Sequence, residues 1–136
     1  MLYKKEVIDK VVEWIQTDST PAYNFLNENN YKEWIATIEA IFISDKSLEW
    51  LIRNKQMVMA AFVKAVEGEK MSLEFLIKQK APHLAAVANA INRDKGAEAW
   101  LIRNKLEHYA QLAEVIRTKL EKMSDSDLSY LFKGPI

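Results

Sequence analysis

The sequence predicts an all-α protein in which about four tandem 25-residue helix–turn–helix repeats stack as a short solenoid, with a capping helix at each end. Three observations lead there. The segment Glu49–Lys55 (EWLIRNK) returns 25 residues later as Glu74–Lys80 (EFLIKQK), and again as Ala99–Lys105 (AWLIRNK). Between these copies apolar residues recur at i, i+3, i+4 and i+7, which is one face of an α-helix. Only three glycines and three prolines punctuate the 136 residues, too few for a strand-rich fold with many tight turns.

Taken in order, the elements begin with an amphipathic helix over roughly residues 3–16, carrying Val7, Ile8, Val11, Val12 and Ile15 within a capping segment 1–19. Four units follow, at 20–44, 45–69, 70–94 and 95–119, the first signalled by the weaker copy Asn24–Asn30. Each unit should hold a short helix of about nine residues, a tight turn and a longer helix of about thirteen. Thr20-Pro21 reads as a cap followed by proline in the first turn, and Asp45 and Asp94 can cap the equivalent helices. Asn30 with Glu33 resembles a capping box, and Pro82 suits the first turn of the corresponding helix. Asn29, Asn54 and Asn104 suit a left-handed residue ending the first helix, and Gly68 can end a second helix in the same way. The last long helix should reach about Met123, after which Ser124-Asp125 starts a short helix with Leu128, Leu131 and Phe132 in a C-terminal cap, 120–136. The whole of 1–136 reads as one domain.

The core follows from the same columns. Trp34, Thr37, Ile38 and Ile41 align with Met59, Phe62, Val63 and Val66, then with Leu84, Val87, Ala88 and Ile91, then with Tyr109, Leu112, Ala113 and Ile116. The first helices have their own apolar set, as in Leu48, Leu51 and Ile52, or Leu73, Leu76 and Ile77. Phe25, Trp50, Phe75 and Trp100 lie on the opposite side, so these helices should be sandwiched between neighbours. On that reading the aromatic row is core, and Trp50→Ala costs ~3–5 kcal/mol. Alanine columns at 40, 65 and 90 and at 60, 85 and 110 allow close helix approach. Asn27 and Glu98 replace apolar residues in the first and last units, where an end face meets water.

Composition narrows function mainly by exclusion. Nineteen basic and nineteen acidic residues balance, so no overall field attracts nucleic acid or an anionic membrane. Without cysteine there is no disulfide, thiolate nucleophile or cysteine zinc site. No uncharged run approaches a membrane span and the first fifteen residues are studded with charge, so a soluble, cytoplasmic protein is expected. There is no Gly-rich phosphate loop, G-x-S-x-G, H-E-x-x-H or acidic calcium loop, and no carboxylate pair stands out as acid and base.

Two sets of residues remain. His83 and His108 hold the same position in successive units, where they could form a hidden metal or catalytic site, but two ligands alone make a weak one. Glu107 beside His108 points about 100° away on a helix. Arg53, Lys78 and Arg103 form one basic column, and Lys55, Lys80 and Lys105 another. Lined along one edge, these six could bind an acidic peptide, a phosphorylated partner or a nucleic-acid backbone. Equally, each pair stands at a helix C-terminus, where a cation gains ~0.3–1 kcal/mol from the helix dipole.

With the unit in view, the chain resembles the α-solenoids, although its 25-residue unit is shorter than HEAT or tetratricopeptide units and carries the signature of neither. It is more similar to bacterial proteins built from W-L-(I/L)-x-(N/K) helical hairpins, through Trp50–Asn54 and Trp100–Asn104, over roughly residues 20–119. The resemblance implies an architecture and no activity, cofactor or site residue. The function expected is a non-catalytic protein- or peptide-binding scaffold, with anionic ligand or nucleic-acid binding along the basic edge as the alternative.

Overall fold

The computed structural model describes residues 2–132, and their side chains over 2–124. The described chain is all helix and turn, in the order α1 (Lys5–Thr17), α2 (Thr20–Glu28), α3 (Lys32–Phe42), α4 (Asp45–Arg53), α5 (Met57–Val66), α6 (Lys70–Lys78), α7 (Pro82–Ile91), α8 (Lys95–Arg103) and α9 (Glu107–Phe132). Short helices begin at residues 20, 45, 70 and 95, and their partners at 32, 57, 82 and 107. The short helices have the nine residues expected, whereas α3, α5 and α7 are only ten or eleven residues long. They stop early because the chain reverses at Ile43, Gly68 (φ +99°) and Arg93 (φ +71°).

Several caps lie one residue from their expected place. Ser19, not Thr20, caps α2 by accepting the Ala22 N–H at 3.2 Å, and Ser44, not Asp45, caps α4 by accepting the Lys46 N–H at 3.1 Å. Asp94 caps α8 as expected, accepting from Gly96 and Ala97. No capping box forms at α3: Asn30 has φ +63°, Tyr31 precedes the helix, and the Glu33 carboxylate instead accepts the Tyr3 hydroxyl proton at 2.8 Å. The left-handed residue is not Asn29, Asn54 or Asn104 but the one after each, at Asn30, Lys55 and Lys105, with Lys80 in the same conformation after α6. Asn29, Asn54 and Asn104 act differently: each side-chain amide donates to the carbonyl four residues back, occupying an acceptor that the ending helix leaves open.

At the C-terminus no separate short helix starts at Ser124-Asp125. α9 continues to Phe132, there being no glycine or proline between Glu107 and Phe132 to stop it. The side chains of Leu128, Leu131 and Phe132 lie outside the described residues.

The helices form two layers. α1, α3, α5, α7 and α9 pack neighbour on neighbour, and α9 packs in turn on α1, closing an inner cycle. The short helices lie outside it, each straddling two inner ones: α2 over α1 and α3, α4 over α3 and α5, α6 over α5 and α7, α8 over α7 and α9. The aligned columns explain this. Trp34, Met59, Leu84 and Tyr109 are all buried, as are Thr37, Phe62, Val87 and Leu112, so the inner helices share one continuous core. α1 joins it through Val7, Ile8, Val11, Val12 and Ile15. Just before α1, Tyr3 crosses the junction: its ring meets Trp34 edge-on at 5.4 Å, and its backbone N–H donates to the Tyr109 hydroxyl at 3.0 Å.

The outer helices anchor through leucine. Leu26, Leu51, Leu76 and Leu101 are fully buried, whereas Phe25, Trp50, Phe75 and Trp100 are all half-buried, the first, second and fourth of them packed against the core. The expectation that the aromatic row is interior is thus corrected to a row at the core margin. A short helix resting over a groove buries one narrow stripe, and a residue next to that stripe is turned by 100° toward water.

Candidate functional site

The site is built on the outer layer, where each short helix presents one turn after its buried leucine. Rotation by one residue from Leu51, Leu76 and Leu101 brings Ile52, Ile77 and Ile102 to the surface, 48%, 61% and 48% exposed. Their placement in the apolar interior set does not hold. The first unit has Asn27 in this column, the one sequence signal that the position faces water. Three exposed isoleucines at one structural position are unlike the scattered apolar atoms of an ordinary surface.

Next to each isoleucine stands a cation. Arg53, Lys78 and Arg103 occupy the last turns of α4, α6 and α8, and all three are exposed. Lys55, Lys80 and Lys105 follow in the left-handed turns, also exposed. None of the six enters an ion pair among the described residues, where the salt bridges are Lys5–Asp9, Lys10–Glu13, Lys64–Glu67 and Arg93–Glu121. The structure places each pair on its own helix end. α4 and α6 are separated by α5, and α6 and α8 by α7, so the pairs recur across the outer face as patches.

Between successive outer helices the outward face of an inner helix forms the floor of a cleft. One cleft, of about 320 Å³, is lined by Ile35, Ala36 and Glu39 of α3 with Ser47, Trp50 and Arg53 of α4. Another, of about 280 Å³, is lined by Ala60, Ala61 and Lys64 of α5 with Met71, Ser72 and Phe75 of α6, residues one period further on. Alanine at 60 and 61 keeps this floor low, and exposed Met57 and Met71 stand at its rim. Such adaptable thioethers suit contact with varied apolar surfaces.

The histidines lie elsewhere. His83 is buried in the inner layer with its ring edge-on to Tyr109 at 5.1 Å, and His108 is half-buried with its ring 4.7 Å from the same tyrosine. Tyr109 thus stands against both imidazoles. Among the described residues no three histidine, aspartate or glutamate side chains gather as a metal site. Burial lowers the His108 pKa, with Asp9 and Glu107 opposing the shift and Lys5 adding to it. Burial also raises the Tyr109 hydroxyl above the ordinary phenol range, and Tyr3 is raised likewise, first by burial and then by its bond to Glu33. Phenols held protonated in this way act as hydrogen-bonding struts.

No helix among the described residues is long and apolar enough to cross a membrane. Neither a protein-family model, nor a curated protein, nor a solved structure matches the chain.

Proposed function

We propose that the chain is a tandem array of 25-residue helical hairpins whose outer face binds a protein or peptide segment without catalysis. The observation that carries this reading is the exposed row Ile52, Ile77 and Ile102, each followed by a cation outside any described ion pair. Isoleucine left in water forgoes roughly 1.5–3 kcal/mol relative to full burial, and a partner recovers part of it. A ligand suited to this face alternates apolar side chains with carboxylates. Apolar groups fill the clefts beside Trp50 and Phe75, and the carboxylates meet Arg53, Lys78 and Arg103. The regular start of α2, α4, α6 and α8 supports reading the three patches as copies of one recognition unit.

The test compares wild type with the triple variant Ile52→Ser/Ile77→Ser/Ile102→Ser in quantitative capture from lysate, followed by titration of the captured protein. A partner held by wild type and weakened at least tenfold by the triple variant is the expected result. Capture that is the same for both, or absent, overturns the reading. The basic columns alone would favour an anionic polymer. A second arm therefore measures labelled RNA and DNA at low salt against wild type and Arg53→Glu/Lys78→Glu/Arg103→Glu. Nucleic-acid binding abolished by the charge reversal and untouched by the isoleucine changes would replace the protein-binding reading.

A further inference from the structure

The inner cycle has five intervals between neighbouring helices, and four are covered: α1/α3 by α2, α3/α5 by α4, α5/α7 by α6 and α7/α9 by α8. Over the α9/α1 interval no outer helix packs among the described residues. A cleft of about 520 Å³ opens there instead, lined by Ile15 and Gln16 of α1 and by Gln111, Glu114, Val115 and Thr118 of α9, among others. Its α9 wall is that of a receiving helix. Gln111 and Glu114 stand whole periods after Ala36 and Glu39, and after Ala61 and Lys64. Those earlier pairs share their clefts with the outer-helix aromatics Trp50 and Phe75.

A matching helix exists in the sequence. Ser124–Gly134 (SDSDLSYLFKG) repeats Ser44–Asn54 (SDKSLEWLIRN), the cap and body of α4. Ser, Asp and both leucines are identical, at Ser124, Asp125, Leu128 and Leu131. Tyr130 stands for Trp50, Phe132 for Ile52 and Lys133 for Arg53. The copy comes 30 residues after the one in α8 instead of 25. Its residues 124–132 also lie on α9, which runs unbroken to Phe132. A segment that prolongs the axis of α9 cannot lie against the flank of α9, so it does not reach the interval of its own chain.

We propose that residues 124–132 are a fifth outer helix whose seat is the α9/α1 interval of a second copy, so that two chains exchange their C-terminal segments. The exchange is reciprocal, since each chain offers both the segment and the vacant interval, and a two-fold axis closes it as a dimer. In sequence register Leu131 corresponds to Leu51 and Tyr130 to Trp50, whose cleft is lined by Ala36 and Glu39, the counterparts of Gln111 and Glu114.

Because the chain has no cysteine, introduced thiols report this geometry cleanly. Gln111→Cys protein is mixed with Tyr130→Cys protein and oxidised, while light scattering gives the native mass of wild type and of full-length Leu131→Asp. Expected are a heterodimeric disulfide, a wild-type mass twice 15.8 kDa, and a monomeric Leu131→Asp protein with unchanged far-UV circular dichroism. A monomeric wild type overturns the proposal, as does a dimer that Leu131→Asp leaves intact. So does a Gln111→Cys/Tyr130→Cys chain that cross-links within itself while the mixed single variants do not, since the segment would then belong to its own interval.

Discussion

At the scale of single residues, the backbone after each short helix is the most informative feature. Lys55, Lys80 and Lys105 have φ near +60°, a conformation in which Cβ crowds the following carbonyl. Glycine adopts it freely, so Lys80→Gly is expected to stabilise the fold by about 0.5–1 kcal/mol, read as a higher urea midpoint at unchanged slope. A lower midpoint would show that the lysine side chain contributes more than its backbone costs. On the proposed binding reading, strain is retained at these three exposed positions because their side chains meet the partner. Lys55→Gly/Lys80→Gly/Lys105→Gly should accordingly be the more stable protein and the weaker binder.

At the scale of the element, an outer helix hangs on one leucine. Leu51→Ala is expected to cost about 2–5 kcal/mol, and Trp50→Ala, larger but only half-buried, about 2 kcal/mol. Denaturant titration of the two variants ranks them, and the reverse order would return the aromatic row to the interior. How far the sequence could be read is clearest here. The recurrence of an aromatic-Leu pair at 25–26, 50–51, 75–76 and 100–101 located each short helix to within a residue or so, because a helix start needs only a cap and a pattern. It did not reveal that Ile52, Ile77 and Ile102 face water. A helix apolar on two sides looks the same in sequence whether two neighbours or one groove receives it. The caps moved by one residue for a similar reason: Ser19-Thr20 and Ser44-Asp45 each offer two capping oxygens side by side, and only the backbone decides between them. The basic columns were legible as helix ends, but their distribution as separate patches depends on α5 and α7 lying between α4, α6 and α8.

At the scale of the whole molecule, the closure of α9 on α1 was not visible in the columns, since α1 belongs to none of them. Tyr3 marks it. Tyr3→Phe removes the hydroxyl that donates to the half-buried Glu33 carboxylate and should cost about 1.5–3 kcal/mol, with Glu33→Gln, which keeps an acceptor, costing less. No loss of thermal stability in either variant would mean that the ring, which both retain, and not the bond, holds the junction. The same junction orders the making of the protein. Contacts within and between hairpins join residues a few tens apart, while the Tyr3–Tyr109 bond spans 106 positions. Local pairings form early, and distant ones wait for the chain between them to collapse. On a ribosome, the flank of α1 destined for α9 stays wet until α9 itself has emerged. Nascent chains arrested before residue 107 are therefore the species in which this protein is most exposed to aggregation and to chaperones.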